Sequence, residues 1–308
     1  MADTAQLSEE WPHCGVGTDA DSPMGCPGRT VEPYAQCLAH LDDDDRHAYL
    51  ASLQPGATVD HRGTSFTADL FAELCEALRG PNGVAFGDGA RLWQTQFGEG
   101  ADFRGVRFGD VTEFSGATFG NRADFRGVRF GNWTSFQAVT FGEHVWFNEA
   151  AFGDDILFQG AKFGRIAVFS EVVFGEGAWF SGATFGHTAE FHMARFDGNA
   201  GFIGTVFGGV ATSFAAVTFG GETDFRGATF VEDAPFRGAK FNGAVNLGPL
   251  RCRNMDLSRA VFSAPVRVEA TARKVVCADT RWMSTSTMRL RYADVDLSGA
   301  VVESPLTL

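Results

Sequence analysis

From Phe86 onwards, large apolar residues recur with a period that suits neither a helix nor an ordinary strand. Phe stands at Phe97, Phe103, Phe108, Phe114, Phe119, Phe125, Phe130, Phe136, Phe141, Phe147 and Phe152, and the series runs on to Phe207 in steps that alternate six and five. One step of seven leads to Phe214, after which the alternation resumes through Phe219, Phe225, Phe230, Phe236 and Phe241. Leu247 takes the next place, and Leu92 and Phe86 extend the phase backwards. The unit is therefore eleven residues, divided six plus five. Two residues before each Phe stands a small or β-branched side chain, as at Ala101, Val106, Thr112 and Ala117. Gly follows the second Phe of each unit, as at Gly109, Gly120, Gly131 and Gly142; Asp197, Val231 and Asn242 depart from this. Apolar positions five or six apart spiral around a 3.6-residue helix and leave no stripe, and frequent Gly weakens a helix further. Runs of strict alternation are too short for hairpins. A solenoid satisfies the pattern. Each short side turns one large and one small residue inward, and Gly takes corners where a side chain would clash or φ must be positive.

The segments ADFRGVRF (Ala101 to Phe108), ADFRGVRF again (Ala123 to Phe130) and SGATFG (Ser115 to Gly120) state the motif most clearly. Leu or Phe is central, with Ala, Val or a similar residue two places before it. In this the chain resembles the pentapeptide-repeat family, strongly over Phe86 to Leu247 and more weakly to its end. The resemblance implies an all-β solenoid, a right-handed quadrilateral β-helix with four sides per coil. Most members step by five throughout, whereas the alternation here lengthens each coil, and the extra residue is expected to bulge out at alternate corners. Phe86 to Leu247 then makes roughly seven coils, a rod of about 35 Å at a stacking distance of about 4.8 Å.

The flanks are read from the same register. VDHRGTSF, Val59 to Phe66, aligns with ADFRGVRF and puts His61 in the first Phe place, which predicts an opening half-coil. TADLFAELCEALRG, Thr67 to Gly80, predicts an amphipathic helix with Thr67 as N-cap and Leu70, Phe71, Leu74 and Leu78 on one face. Gly80, Pro81, Asn82 and Gly83 stop it, and it is expected to cover the apolar top of the solenoid. LDDDDR, Leu41 to Arg46, reads as a helix start with Asp42 as cap and Asp43 to Asp45 in the first turn, rather than as a divalent-metal site. After Leu247 the steps become five, through Cys252, Leu257 and Phe262, and then the register blurs. FSAPVRVEA (Phe262 to Ala270) and VESPLTL (Val302 to Leu308) look like two copies of one element. The organisation expected is a Cys/His module over 1–57, an opening half-coil and capping helix over 58–85, the repeat β-helix over 86–262, and irregular repeat-like coils over 263–308. The last copy has no evident cap, so the expectation is a longer natural protein or an end covered by a partner.

WPHCGVGTDADSPMGCPGRTVEPYAQCLAHL holds three cysteines and two histidines. Cys14 and Cys26 lie in a Gly/Pro-rich loop, while Cys37 and His40 are three apart on a predicted short helix and share a face. Three thiolates and one imidazole make a closed tetrahedral zinc site, and a loop-rich segment with few large apolar residues has little else to order it. The spacing C-x11-C-x10-C-x2-H is not that of a standard finger. His13 is a rival ligand that would need a sharp turn, and reduced cysteines in a small apolar module are the plainer alternative. Such modules are similar to N-terminal regions of some bacterial pentapeptide-repeat proteins. Cys75, Cys252 and Cys277 read as core fillers.

Composition narrows the function. Among 308 residues, 31 are Phe, three are Tyr and 38 are Gly, and the net charge is -13. That acidity argues against a general nucleic-acid or anionic-membrane binder. No apolar run is long enough to span a bilayer, and the first residues lack a signal pattern, so the expected compartment is the cytoplasm. Residues 1–85 carry net -10, residues 86–247 net -6 and residues 248–308 net +3. Residues one coil apart should form rows, Arg104 over Arg126, Arg107 over Arg129 and Asp102 over Asp124, with lateral pairing between them. No phosphate-binding glycine loop or GxSxG occurs, His144, His187 and His192 lack a spaced nucleophile, and the adjacent Asp154 and Asp155 point apart. The expectation is a non-enzymatic scaffold with a protein partner, able to oligomerise through an open C-terminal end. An alternative implied by the resemblance is a DNA mimic that binds a type II topoisomerase (gyrase) and protects it from inhibitors. The modest charge of the rod, its Arg rows and the lack of an evident C-terminal dimerisation helix weigh against that. An adaptor or sensor in bacterial defence or signalling is the third reading.

Overall fold

In the computed structural model, which describes residues 11–18 and 24–308, the Phe series winds into a four-sided solenoid. Every side pairs in parallel with the same side of the next coil. On the first face Phe97 lies beside Phe119, on the second Asp102 beside Asp124, on the third Phe108 beside Phe130, and on the fourth Glu113 beside Ser135. The third face alone carries eleven parallel strands from Gly83–Phe86 to Val301–Val302, with Arg79–Gly80 added antiparallel at its start. Inside, each face contributes a column of rings. Along a column the rings stack nearly parallel: Phe103 on Phe125 at 4.4 Å, Phe136 on Phe158 at 5.0 Å, Phe163 on Phe185 at 4.5 Å. Between columns they meet edge to face, as Phe125 does Phe136 at 6.0 Å and 87°. Both arrangements suit the ring quadrupole. Phe rather than Tyr fills these places because a buried hydroxyl would need a partner that an all-aromatic core lacks.

The corners explain the glycines in two different ways. After the first Phe of each unit the residue two places on takes positive φ, as at Gly127 (φ 65), and Ala138, Glu149, Glu171 and Met193 accept the same conformation. After the second Phe the Gly serves close approach instead: a Cβ on Gly131 would stand 2.7 Å from the Asp110 backbone nitrogen and 2.7 Å from the Gly109 carbonyl carbon, both in the preceding coil. The extra residue of the six-step sits at these wide corners, where Val111, Trp133 and Asp155 turn with positive φ. There a polar ladder climbs the rod. The Asp88 side chain accepts from Asp110 N–H, Asp110 from Asn132, Asn132 from Asp154 and Asp154 from Glu176, at 2.8 to 2.9 Å. Asp154 is thus a structural acceptor.

The ends differ from the middle. The helix α1 (Asp43–Ser52) starts at Asp42, whose side chain accepts from Asp45 N–H at 2.9 Å. The helix α2 (Ala68–Ala77) starts at Thr67, which accepts from Leu70 N–H at 3.1 Å. It is spliced into the first coil between Phe66 and Phe86. Its Phe71 lies 4.3 Å from Phe103, in the topmost ring place of the second column, so the helix closes the stack as expected. At the other end the register does not blur. The seven-residue step around Val210 widens one coil, Phe207 pairing with Phe230; then the coils shorten, Phe241 pairing with Phe262, Phe262 with Trp282 and Trp282 with Val302. The last coils therefore use twenty residues, two fewer than those of the middle. The landmarks changed, not the winding: Trp282 stacks on Phe262 at 4.3 Å and donates its indole N–H to Thr280 Oγ1 at 2.8 Å. Among the described residues no helix is long and apolar enough to cross a membrane.

Phe158 is fully buried between Phe136 and Phe180. Phe158→Ala is expected to destabilise by about 3–5 kcal/mol in denaturant unfolding. Gly127→Ala, which only strains a positive φ, should cost roughly 1–2 kcal/mol. Gly131→Ala must force two coils apart and should exceed Gly127→Ala; the reverse order would contradict the close-approach account.

Candidate metal centre

The N-terminal loop folds back on itself because its backbone finds partners there. Cys14 N–H donates to Gly28 O at 2.8 Å, Gly15 N–H to Cys26 O at 3.1 Å and Cys26 N–H to Val16 O at 2.9 Å. This sets Cys14 beside Cys26. Cys37 precedes a 3-10 turn, Leu38–His40. Side chains three apart eclipse on such a turn, so Cys37 and His40 point the same way. The four donor atoms gather within 4.8 Å of one another. His40 Nδ1 is 3.4 Å from both Cys14 Sγ and Cys37 Sγ, and Cys26 Sγ is 3.8 Å from Cys37 Sγ. Gly28 donates its N–H to Cys26 Sγ at 3.3 Å, and a Cβ there would stand 2.8 Å from Cys37 Sγ. Only Gly leaves the cradle open.

Burial, with the neighbouring Cys26 and Cys14 acting in the same direction, pushes the Cys37 thiol up to about 12 and keeps it neutral in the absence of a cation. Three sulfurs this close cannot all ionise without a positive charge among them, whereas a bound ion reverses the balance. Cys14, Cys26, Cys37 and His40 stand together in a group that could hold a metal ion. The rival His13 lies outside it, edge-on to Trp11 at 5.5 Å. The group contains none of His144, His187 and His192. Cys75 and Cys277 are buried and Cys252 is partly so.

The module is welded to the opening half-coil. Arg62 forks onto Asp60 with two bonds of 2.9 Å and lies over the rings of Trp11 at 4.9 Å and Trp93 at 5.5 Å. Arg29 reaches the same Asp60 at 3.0 Å. No spacing in the sequence signals this Trp–Arg–Trp stack. Beside it His61 fills its predicted ring place, edge-on to Phe66 at 5.7 Å and to Tyr49 at 5.8 Å. Its buried Nδ1 has no hydrogen-bond partner among the described residues.

Comparison with known proteins returns the repeat and little else. A family model described as pentapeptide repeats (9 copies) matches residues 92–140, 114–162, 147–192 and 202–248. No curated protein matches the chain. Among solved structures, the chain is similar to HetL, a pentapeptide repeat protein involved in heterocyst differentiation regulation from the cyanobacterium Nostoc sp.. The identity is 15%, the coverage 86% of this chain and 93% of that one, and the TM-score 0.22.

Burial lowers the His61 pKa from 6.5 to about 4. The unfolded chain therefore takes up a proton as pH falls below 6.5, while the folded chain refuses it until about 4. Stability is complete above the upper value and should fall across this window by about 3 kcal/mol. His61→Phe, which completes the ring column, is expected to flatten that part of the profile in urea titrations run at pH 4 to 7; an unchanged profile would remove His61 as its cause.

Proposed function

The chain is a pentapeptide-repeat protein, and from that premise we propose that it is a rigid, non-enzymatic scaffold whose faces bind another protein. The observation that carries this reading is the outward counterpart of the ring stack. Because every ring is locked to those above and below, outward side chains form rows at the coil spacing, with Arg107 beside Arg129 and Asp102 beside Asp124. Arg104 links two coils, 2.6 Å from Asp102 and 3.7 Å from Asp124. Exposed pairs of this kind add little to stability. They hold charges in fixed positions, so a partner that reads them meets little ordering cost.

In the same reading Cys14, Cys26, Cys37 and His40 hold a structural zinc ion. Tetrahedral zinc with Zn–S of 2.3 Å and Zn–N of about 2.05 Å needs S–S edges of about 3.8 Å and S–N edges of about 3.5 Å. The 3.8 Å and 3.4 Å separations found here support that fit. Four protein donors leave no open position, so the ion would order the module rather than act on a substrate.

Purified protein is expected to contain one zinc per chain by elemental analysis. Cys37→Ser and Gly28→Ala should both reduce this to near zero while the far-ultraviolet β signal of the solenoid persists. Zinc well below one equivalent in the unaltered protein would end the assignment. For the scaffold, photo-crosslinkers placed in turn on the four faces should label one partner from the source organism through one face. Labelling no stronger than on an unrelated β-solenoid at every face would reject it.

A further inference from the structure

The ring column of the first face stops early. It runs from Phe66 through Phe97 and Phe207 to Phe230. Below Phe230 the register brings Arg251 beside Thr229, then Thr271 beside Arg251 and Arg291 beside Thr271. The inward places that follow these residues are Cys252, Ala272 and Tyr292. Two small side chains thus stand where rings stood above. Tyr292 leaves the core altogether: it is 91% exposed and adopts φ 62, a conformation that an aromatic residue rarely takes. This is also where the coils shorten. An open recess of about 580 Å³ lies over these places. Its floor is Phe230, Cys252 and Ala272, and Tyr292 stands at its lower lip.

The rim is basic in an acidic protein. Arg251, Arg253 and Arg273 line the recess, and Arg251 also lines a neighbouring hollow together with Arg289 and Arg291. Arg253 is engaged by Glu232 at 3.0 Å. Arg251, Arg273, Arg289 and Arg291 have no ion-pair partner among the described residues. Some guanidinium groups higher on the rod lie on carboxylates, as Arg104 on Asp102, Arg126 on Asp124 and Arg226 on Asp224, each at 2.6 Å, while others such as Arg129 stand without one among the described residues. The forks at the recess are built for the same chemistry and lack the acid.

We propose that this recess is a docking site for an acidic segment of a protein partner, which seats one apolar side chain on the Phe230–Cys252–Ala272 floor and lays flanking carboxylates on Arg251 and Arg273. The inference rests on the scaffold reading and names the face that does the binding. An apolar floor inside an Arg rim suits an anchor side chain flanked by charges. A long phosphate backbone suits it less. The basic region is confined to the last coils, and any polyanion that overruns them meets residues 86–247, with net charge -6.

The test uses the full chain and a fluorescein-labelled ten-residue peptide of Glu and Asp with one central Phe, followed by anisotropy. Binding is expected to weaken at least tenfold in the Arg251→Ala/Arg273→Ala double variant, and at least tenfold when the central Phe of the peptide becomes Ser. Arg129→Ala, on the third face, should leave it unchanged. Cys252→Phe, which continues the ring column into the recess, should abolish the preference for the central Phe without lowering the thermal midpoint. Equal losses in Arg129→Ala and in the double variant would overturn the site in favour of diffuse attraction. Tighter binding of a ten-nucleotide oligothymidine would overturn it in favour of nucleic acid. Self-association that the double variant abolishes would overturn it in favour of a second copy. A partner crosslinked through another face, indifferent to the recess variants, removes the recess and leaves the scaffold reading standing.

Discussion

Ring-on-ring contact at the coil spacing is the constraint from which the other features descend. Stacking near 5 Å along four columns requires that backbones one coil apart hydrogen-bond on every side. That closeness leaves no room for a Cβ at Gly131 or its equivalents. It also brings each wide corner within reach of the next, so that Asp110 and Asn132 can serve the N–H groups of the following coil. The four-sided winding, the corner glycines and the polar ladder are one solution to one packing problem. A stack of this kind needs a finished top, which Phe71 provides by standing in for the missing ring.

Much of this is legible in the sequence because the signal is redundant. The Phe phase is repeated many times, and a single exception such as the step to Phe214 does not disturb it. Thr67 and Asp42 announce their helices through ordinary capping chemistry, and both caps form. The Cys3His group is legible for a different reason, since so short and Gly-rich a segment offers few other ways to order itself. What stays hidden is whatever depends on a change of landmark or on distance in the chain. The last coils keep winding although Leu, Val, Cys and Trp replace Phe, and a reader who follows Phe loses them at Phe262. The ladder was in view, as Phe-Gly-Asp or Phe-Gly-Asn at Asp88, Asp110, Asn132 and Asp154, but its purpose requires knowing which N–H lies overhead. Tyr292 sits in an inward place by count and outside in fact.

The N-terminal module and the solenoid are joined by interactions of different kinds at one point. Arg62 combines a carboxylate fork with two aromatic faces, and Gly63, at φ 66, lets the half-coil pass so close to Pro27 that a Cβ would meet its carbonyl oxygen at 2.5 Å. Order in the Cys/His loop is thereby transmitted to the first coil, and so to the ring that Phe66 sets on Phe97. The module is part of how the rod begins.

Two eleven-residue units make one turn of the long coils, and this gives the rod a counting rule. Excising one whole turn, such as 120–141, would rejoin the chain with all four faces still aligned, giving a shorter rod of unchanged cross-section. Excising a single unit would keep the interior filled yet exchange opposite walls, so that every charged row would end abruptly at the junction. Length in such a molecule can therefore be gained or lost by duplication and deletion in whole turns, while its external lettering is preserved only if the count is even.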